Sequence, residues 1–391
     1  MTVRAVGCTL LASMHLEGNR LPYLDSLRGV AILMVILTHV CAALQSAFGL
    51  QNSAAMLAIY SQAGVQLFFV VSAFSLCIGY EKRRGDRHAI GIFFIQRYFR
   101  IAPLYYLGIG VHCLLSIWTR WETGVAPPLL SPAYTAKGVI CGLFFIHGFV
   151  PNAISRVPFV VLGGWSIELE AAFYVAFPLL FALAVRVAPR GLASLAVMWG
   201  GSLAATLLFF WFLSDGYAVT IHRTNLWCFT LADQLPVFMA GLTLYFIQTR
   251  RLWLPGWVFC GLCFAILTMA GLLIQWAELP YSWVLLPSVA GLSFVFLMQL
   301  FSQQPRLSPA WLQYIGRISF SIYIFHFVVI YPVVFRGLAF HLWDRWPYVR
   351  GGIGFVATTV FTVLVAGLTW RYVEKPGIAL GKKLAGKLSS L

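Results

Sequence analysis

LDSLRGVAILMVILTH, residues 24–39, opens an apolar run long enough to cross a bilayer, yet it carries two ionisable side chains, Arg28 and His39. They stand eleven positions apart. At about 100° per residue, eleven steps make three turns plus roughly 20°, so a helix puts both on one face. At about 1.5 Å rise per residue, His39 lies about 16 Å beyond Arg28, near the middle of a hydrocarbon layer about 30 Å thick. Ionisable groups are costly in lipid, so their default reading is functional. The structural alternative for His39 is a neutral imidazole bonded to a neighbouring helix. Asp25, three positions before Arg28, can pair with it or cap the helix.

The rest of the chain supports a membrane reading. Of its 391 residues 60% are hydrophobic and only 10% charged, with a mean hydropathy of +0.84. A soluble domain carries about 25% charged residues. The 27 Lys and Arg outnumber the 12 Asp and Glu, giving +15. They lie mostly in short connections between apolar runs, which points to topology and anionic lipid rather than nucleic acid. A basic mouth also suits an anionic cosubstrate. The eight cysteines lie mostly inside apolar runs and read as packing residues. Cys260 and Cys263 are spaced CxxC, but no second pair or His cluster accompanies them, so no metal is expected. Residues 1–20 lack the pattern of a signal peptide, and Met14 is a second candidate start.

Apolar runs recur near 29–48, 57–80, 101–119, 137–150, 164–185, 191–213, 230–248, 252–274, 282–301, 313–335 and 351–370. Ten are long enough to span, and 137–150 is short. The connection 81–100 holds Lys82, Arg83, Arg84, Arg87, Arg97 and Arg100, which places it and the N-terminus in the cytoplasm. If 137–150 does not cross, Arg186, Arg190, Arg250, Arg251, Arg306, Arg371, Lys375, Lys382, Lys383 and Lys387 fall on the same side. Arg223, Arg336, Arg345 and Arg350 then face out. Counting 137–150 as a span inverts this bias. The expected fold is therefore an all-α polytopic membrane protein of about ten transmembrane helices. It has a re-entrant or interfacial segment near 137–150 and both termini in the cytoplasm. It is a single domain over 1–391, with an N-terminal preamble at 1–20 and a basic tail at 375–391.

Three further stretches carry polar groups suited to chemistry. In FFIQRYFRIAPLYY (93–106), Arg97 and Arg100 are i,i+3 neighbours with Pro103 one turn later. They read either as positive-inside anchors or as a phosphate clamp. In GGWSIELEAAFYVAFP (163–178), Glu168 and Glu170 point to different sides of a helix, so one of them at most faces a central cavity. Ser166, Glu170 and Tyr174 follow i,i+4 spacing and share a stripe. His326 lies inside ISFSIYIFHFVVI, after Ser319, Ser321 and Tyr323, and His112 and His147 are further candidates. Each of these histidines has the alternative of a hydrogen-bonded core residue.

Taken in order, LDSLRGVAILMVILTH (24–39), GVQLFFVVSAF (64–74), RYFRIAP (97–103), WSIELEAAFY (165–174), YIGRISFSIYIFH (314–326) and YVEKP (372–376) resemble the acyltransferase 3 family of membrane acyltransferases. The likeness covers essentially the whole chain. It departs from the family pattern at Ala73, where glycine is usual, and at Gln66, where a charged residue is common. The resemblance implies an integral-membrane O-acyltransferase of the bacterial inner membrane. Such an enzyme moves an acyl group, usually acetyl, from cytoplasmic acyl-CoA to a hydroxyl of a glycan or glycoside. The chain ends soon after its last span, so a member without an SGNH-hydrolase-like domain is expected.

On that resemblance His39, Arg28 and Glu170 are the catalytic candidates. Arg97, Arg100 and Arg28 are expected to hold the acyl-CoA cosubstrate. Trp165, Ser166, Tyr174 and His326 are expected to bound the acceptor. His39 activates the acceptor hydroxyl as a base, with a covalent acyl-histidine as the other possible role. A proton-coupled transporter is the rival class, since midplane His and Glu also mark carriers. A scaffold or lipid-binding protein is a third. No matching Gly/Pro-broken segments in two halves favour transport.

Overall fold

In lipid every backbone N–H and C=O needs an internal partner, so the apolar runs fold as helices. The computed structural model describes residues 21–48, 61–124, 136–146, 160–213, 230–252, 255–276, 282–335 and 347–390, and all its regular structure is helical. The helices are α1 (Pro22–Phe48), α2 (Gly64–Glu81), α3 (Ala89–Thr123), α4 (Ala136–Leu143), α5 (Trp165–Val187), α6 (Leu192–Leu213) and α7 (Leu231–Thr249). They continue with α8 (Trp257–Trp276), α9 (Ser282–Gln303), α10 (Ala310–Arg317), α11 (Ser319–Ile330), α12 (Pro347–Thr369) and α13 (Lys375–Ser389). π-helical turns follow α11 and α12.

Among the described residues, eight helices are long and apolar enough to cross a membrane, or nine if α10 and its continuation count as one broken span. The remaining expected span, at 230–248, is α7, a 19-residue helix whose buried residues include Asp233, Gln234 and Gln248. In the short run at 137–150 the described residues form the eight-residue α4, about 12 Å long and too short to span. Residues 147–150, with His147, lie outside the described residues, as do 1–20, Arg223, Arg336 and Arg345.

The chain forms two compact units, one of residues 1–30, 66–82 and 176–317, the other of residues 31–65, 83–175 and 318–391. In the first, α7 packs between α6 and α9, and α8 lies along α9. Small residues set the approach, as they do wherever packing rather than hydrophobicity joins helices. A side chain at Gly241 would run into the backbone of Val70, and one at Gly316 into the backbone of Asp25.

In the second unit, α3 is the long strut. Its 35 residues extend about 52 Å, more than a hydrocarbon layer. Pro103 inside it donates no hydrogen bond. Beside that break α13 comes close: a Cβ on Gly377 would sit 3.1 Å from the Phe99 carbonyl oxygen and 3.0 Å from Pro103. The stretch expected as a basic tail is thus a helix packed on α3, with Gly377, Gly381 and Ala385 buried. Its end is tied to the loop before α3, where Ser389 donates to Asp86 at 2.9 Å. The His88 amide and that hydroxyl hold the Asp86 carboxyl below the usual carboxylate range.

Candidate active site

The side chains best placed for chemistry gather in the second unit, at His39. Its Nδ1 lies 2.8 Å from the Val35 carbonyl oxygen one turn earlier. A carbonyl oxygen only accepts, so Nδ1 carries the hydrogen and Nε2 is the unprotonated nitrogen. The imidazole is half-buried. The edge of Phe327 meets it at 4.4 Å between centroids, and His326 at 5.1 Å. His326 repeats the arrangement on α11: its Nδ1 lies 2.6 Å from the Tyr323 carbonyl oxygen. Its Nε2 is buried with no hydrogen-bond partner among the described residues. His112 joins α3 to α11 through Nε2, 3.1 Å from the Ile324 carbonyl.

The turn before α5 is glycine-made. Gly163 has φ of 77°, a conformation that disfavours any other residue. Its carbonyl accepts from the Tyr323 hydroxyl at 2.8 Å. With its one hydrogen used there, Tyr323 accepts from Ser166, 2.6 Å away. Ser166 and Trp165 are thereby fixed at the first turn of α5, Trp165 half-buried and Ser166 buried.

One turn on, Tyr174 donates to Glu170 at 2.7 Å. Over the tyrosine ring lies Arg97, 6.0 Å from its centroid, with the Phe93 ring 5.9 Å away. The expected Glu170–Tyr174 stripe is therefore a bonded pair facing a guanidinium. The neighbouring acid, Glu168, is buried. The Arg100 charge acts on Tyr174 as well, and on Glu374, which also accepts from Ser321 at 2.7 Å. The two arginines, one turn apart on α3, thus share Tyr174 as a neighbour.

Residues 21–371 match the acyltransferase domain that defines the acyltransferase 3 family. The chain belongs to that family. Acyltransferase MdmB of Streptomyces mycarofaciens is 24% identical, the alignment covering 92% of each chain. Nodulation protein 10 of Rhizobium leguminosarum bv. viciae is 21% identical over 96% of this chain and 98% of its own. Exopolysaccharide production protein ExoZ of Rhizobium meliloti is 30% identical over 29% of this chain and 32% of its own. No solved structure shows a significant match. The protein is a membrane O-acyltransferase.

Arg28 of this acyltransferase lies in the first unit, where α1 starts. It is paired with Asp25 at 3.0 Å, as the i,i+3 spacing suggests, and donates to Ser75 at 2.7 Å. Ser75 in turn donates to the Val71 carbonyl. α1 is one uninterrupted helix, so Arg28 and His39 keep their eleven-residue register. Sequence reasoning missed Ser75 and Glu374. Glu374 stands beside Lys375 at the edge of a basic stretch, so only its burial, 2% exposed, distinguishes it from a solvated charge. Among the described residues no three His, Cys, Asp or Glu side chains are grouped to hold a metal ion.

Proposed function

We propose that this protein transfers an acyl group, acetyl by preference, from cytoplasmic acyl-CoA to a hydroxyl of a glycan or glycoside in the bacterial inner membrane. Both termini lie in the cytoplasm, and membrane lipids surround the helices. A glycan acceptor is supported by the likeness to ExoZ, whose name refers to exopolysaccharide production.

The observation that carries the reading is the His39 tautomer. With Nδ1 bound to the Val35 carbonyl, the Nε2 lone pair is a base on an imidazole that is not fully enclosed. A hydroxyl is a poor nucleophile until such a base takes its proton. The acceptor oxygen then attacks the thioester carbonyl carbon, the C–S bond breaks, and the proton passes by way of His39 to the departing thiolate. Arg28, three turns before His39 on α1, orients the donor arm. Arg97 and Arg100 hold the donor phosphates. Glu170, with Tyr174, polarises the acceptor side, which Trp165, Ser166 and His326 complete.

Release of free CoA thiol tests this. Detergent-solubilised protein with acetyl-CoA should release it only when acceptor-bearing membranes are added. A carrier would move substrate across vesicles and release no thiol, and that result would replace the enzyme reading.

A further inference from the structure

The site holds two imidazoles, and the proposed reaction uses one as its base. Both are fixed in the same tautomer by a carbonyl on their own helix, Val35 for His39 and Tyr323 for His326. Both therefore present an unprotonated Nε2. That of His326 is buried with no partner among the described residues. Leaving a buried acceptor unpaired is unfavourable, so an idle lone pair beside the base calls for a hydrogen-bond donor. Two neutral imidazoles of this tautomer cannot supply it to each other, because each Nε2 only accepts.

The donor appears during the reaction. Once His39 takes the hydroxyl proton, its Nε2–H⁺ is a charged donor 5.1 Å, ring to ring, from His326. A modest side-chain rotation or one bridging water closes that gap, and such contacts tighten as the reacting complex forms. Among the described residues, the titratable groups around the pair include His112, whose charge state acts on His326, and Tyr323, 5.6 Å from the His326 ring. The Glu170 carboxyl acts on Tyr323.

We propose that His326 is the proton-sharing partner of His39, a positioning residue that stabilises the imidazolium formed during acyl transfer. This rests on His39 being the base. The acceptor O–H bond breaks, oxygen bonds to the thioester carbon, and the C–S bond breaks. The proton goes from the hydroxyl to His39 Nε2, is shared with His326 Nε2, and ends on the CoA thiolate. Because the contact exists only once His39 is charged, it favours the transition state over bound substrate. Its loss lowers kcat and leaves KM for acetyl-CoA alone.

The test uses the full-length chain in membrane vesicles carrying the endogenous acceptor, with acetyl-CoA as donor and thiol release as readout. His326→Phe keeps a ring against Phe327 and removes the nitrogen. It should lower kcat about 10- to 100-fold, as loss of a hydrogen bond to a charged group does, with KM for acetyl-CoA unchanged. His326→Gln, which keeps an acceptor oxygen, should recover part of the loss. His39→Ala/His326→Phe should be no slower than His39→Ala alone, since the two act as one unit. Wild-type turnover in His326→Phe, a raised KM at unchanged kcat, or equal activity of the Phe and Gln variants overturns the proposal. Should His326→Phe not accumulate, His326→Met against His326→Gln makes the same comparison. If His39→Ala itself stays active, it is the assignment of the base that falls, not this partnership alone.

Discussion

The two units treat buried polar groups differently. In the first, side chains satisfy one another across helices. Gln248 donates to Gln299 at 2.7 Å. Gln66 donates to Gln234, which donates to Asp233. Arg28 is held by Asp25 and Ser75. Such pairs are the glue of helices in lipid. Asp233 Oδ1 is an exception, buried and without a hydrogen-bond partner among the described residues although its other oxygen is used. In the second unit His39 and His326 each bond through Nδ1 to a backbone carbonyl of their own helix, which leaves Nε2 for other groups. Interlocked amides hold a bundle together; an imidazole fixed at one nitrogen is prepared to use the other. The difference separates the paired amides that support the fold from the two imidazoles that support a reaction.

The sharpest break of that comparison is His39→Ala. Turnover should drop about 10²- to 10⁴-fold, the range of general-base contributions, while the protein still inserts and elutes as wild type. Thiol release per purified molecule measures it. Next come Arg97→Lys and Arg100→Lys. Each keeps the charge and loses the planar fork, so each should raise KM for acetyl-CoA about tenfold, or roughly 1.4 kcal/mol. If pure topology anchoring is their task, KM will not move.

The first unit should respond in the opposite way. Gln248→Leu leaves the Gln299 amide unpaired and should cost about 1–3 kcal/mol of stability. Activity per folded molecule should stay at the wild-type level, and Gln248→Leu/Gln299→Leu should regain most of the stability. Thermal unfolding in detergent together with thiol release reads both. The smallest effect is expected for Tyr174→Phe, which loses one hydrogen bond to Glu170. That bond contributes about 0.5–1.5 kcal/mol, so a drop in turnover of no more than about tenfold is expected.

Much of this was legible in the sequence because period and charge are local. The Arg28 and His39 register, the Glu170–Tyr174 spacing and the shortness of 137–150 all follow from helix geometry within one segment. Partnerships between segments were not legible. Nothing along the chain joins His326 to His39, Ser166 to Tyr323, or Ser321 to Glu374, since each pair is set by how helices pack. Residues 375–391 read as a tail because four exposed lysines hide the buried face of Gly377, Gly381 and Ala385. Arg97 and Arg100 look like one clamp in sequence, and both act on Tyr174, but only packing brings Glu374 to Arg100.

The most direct measurement of the central claim is mass spectrometry of envelope glycans from cells lacking the gene, complemented with wild type or with His39→Ala. The account predicts that one acyl increment on a glycan returns with the wild-type gene and stays absent with His39→Ala at equal membrane abundance. Return of the same increment with both would contradict it.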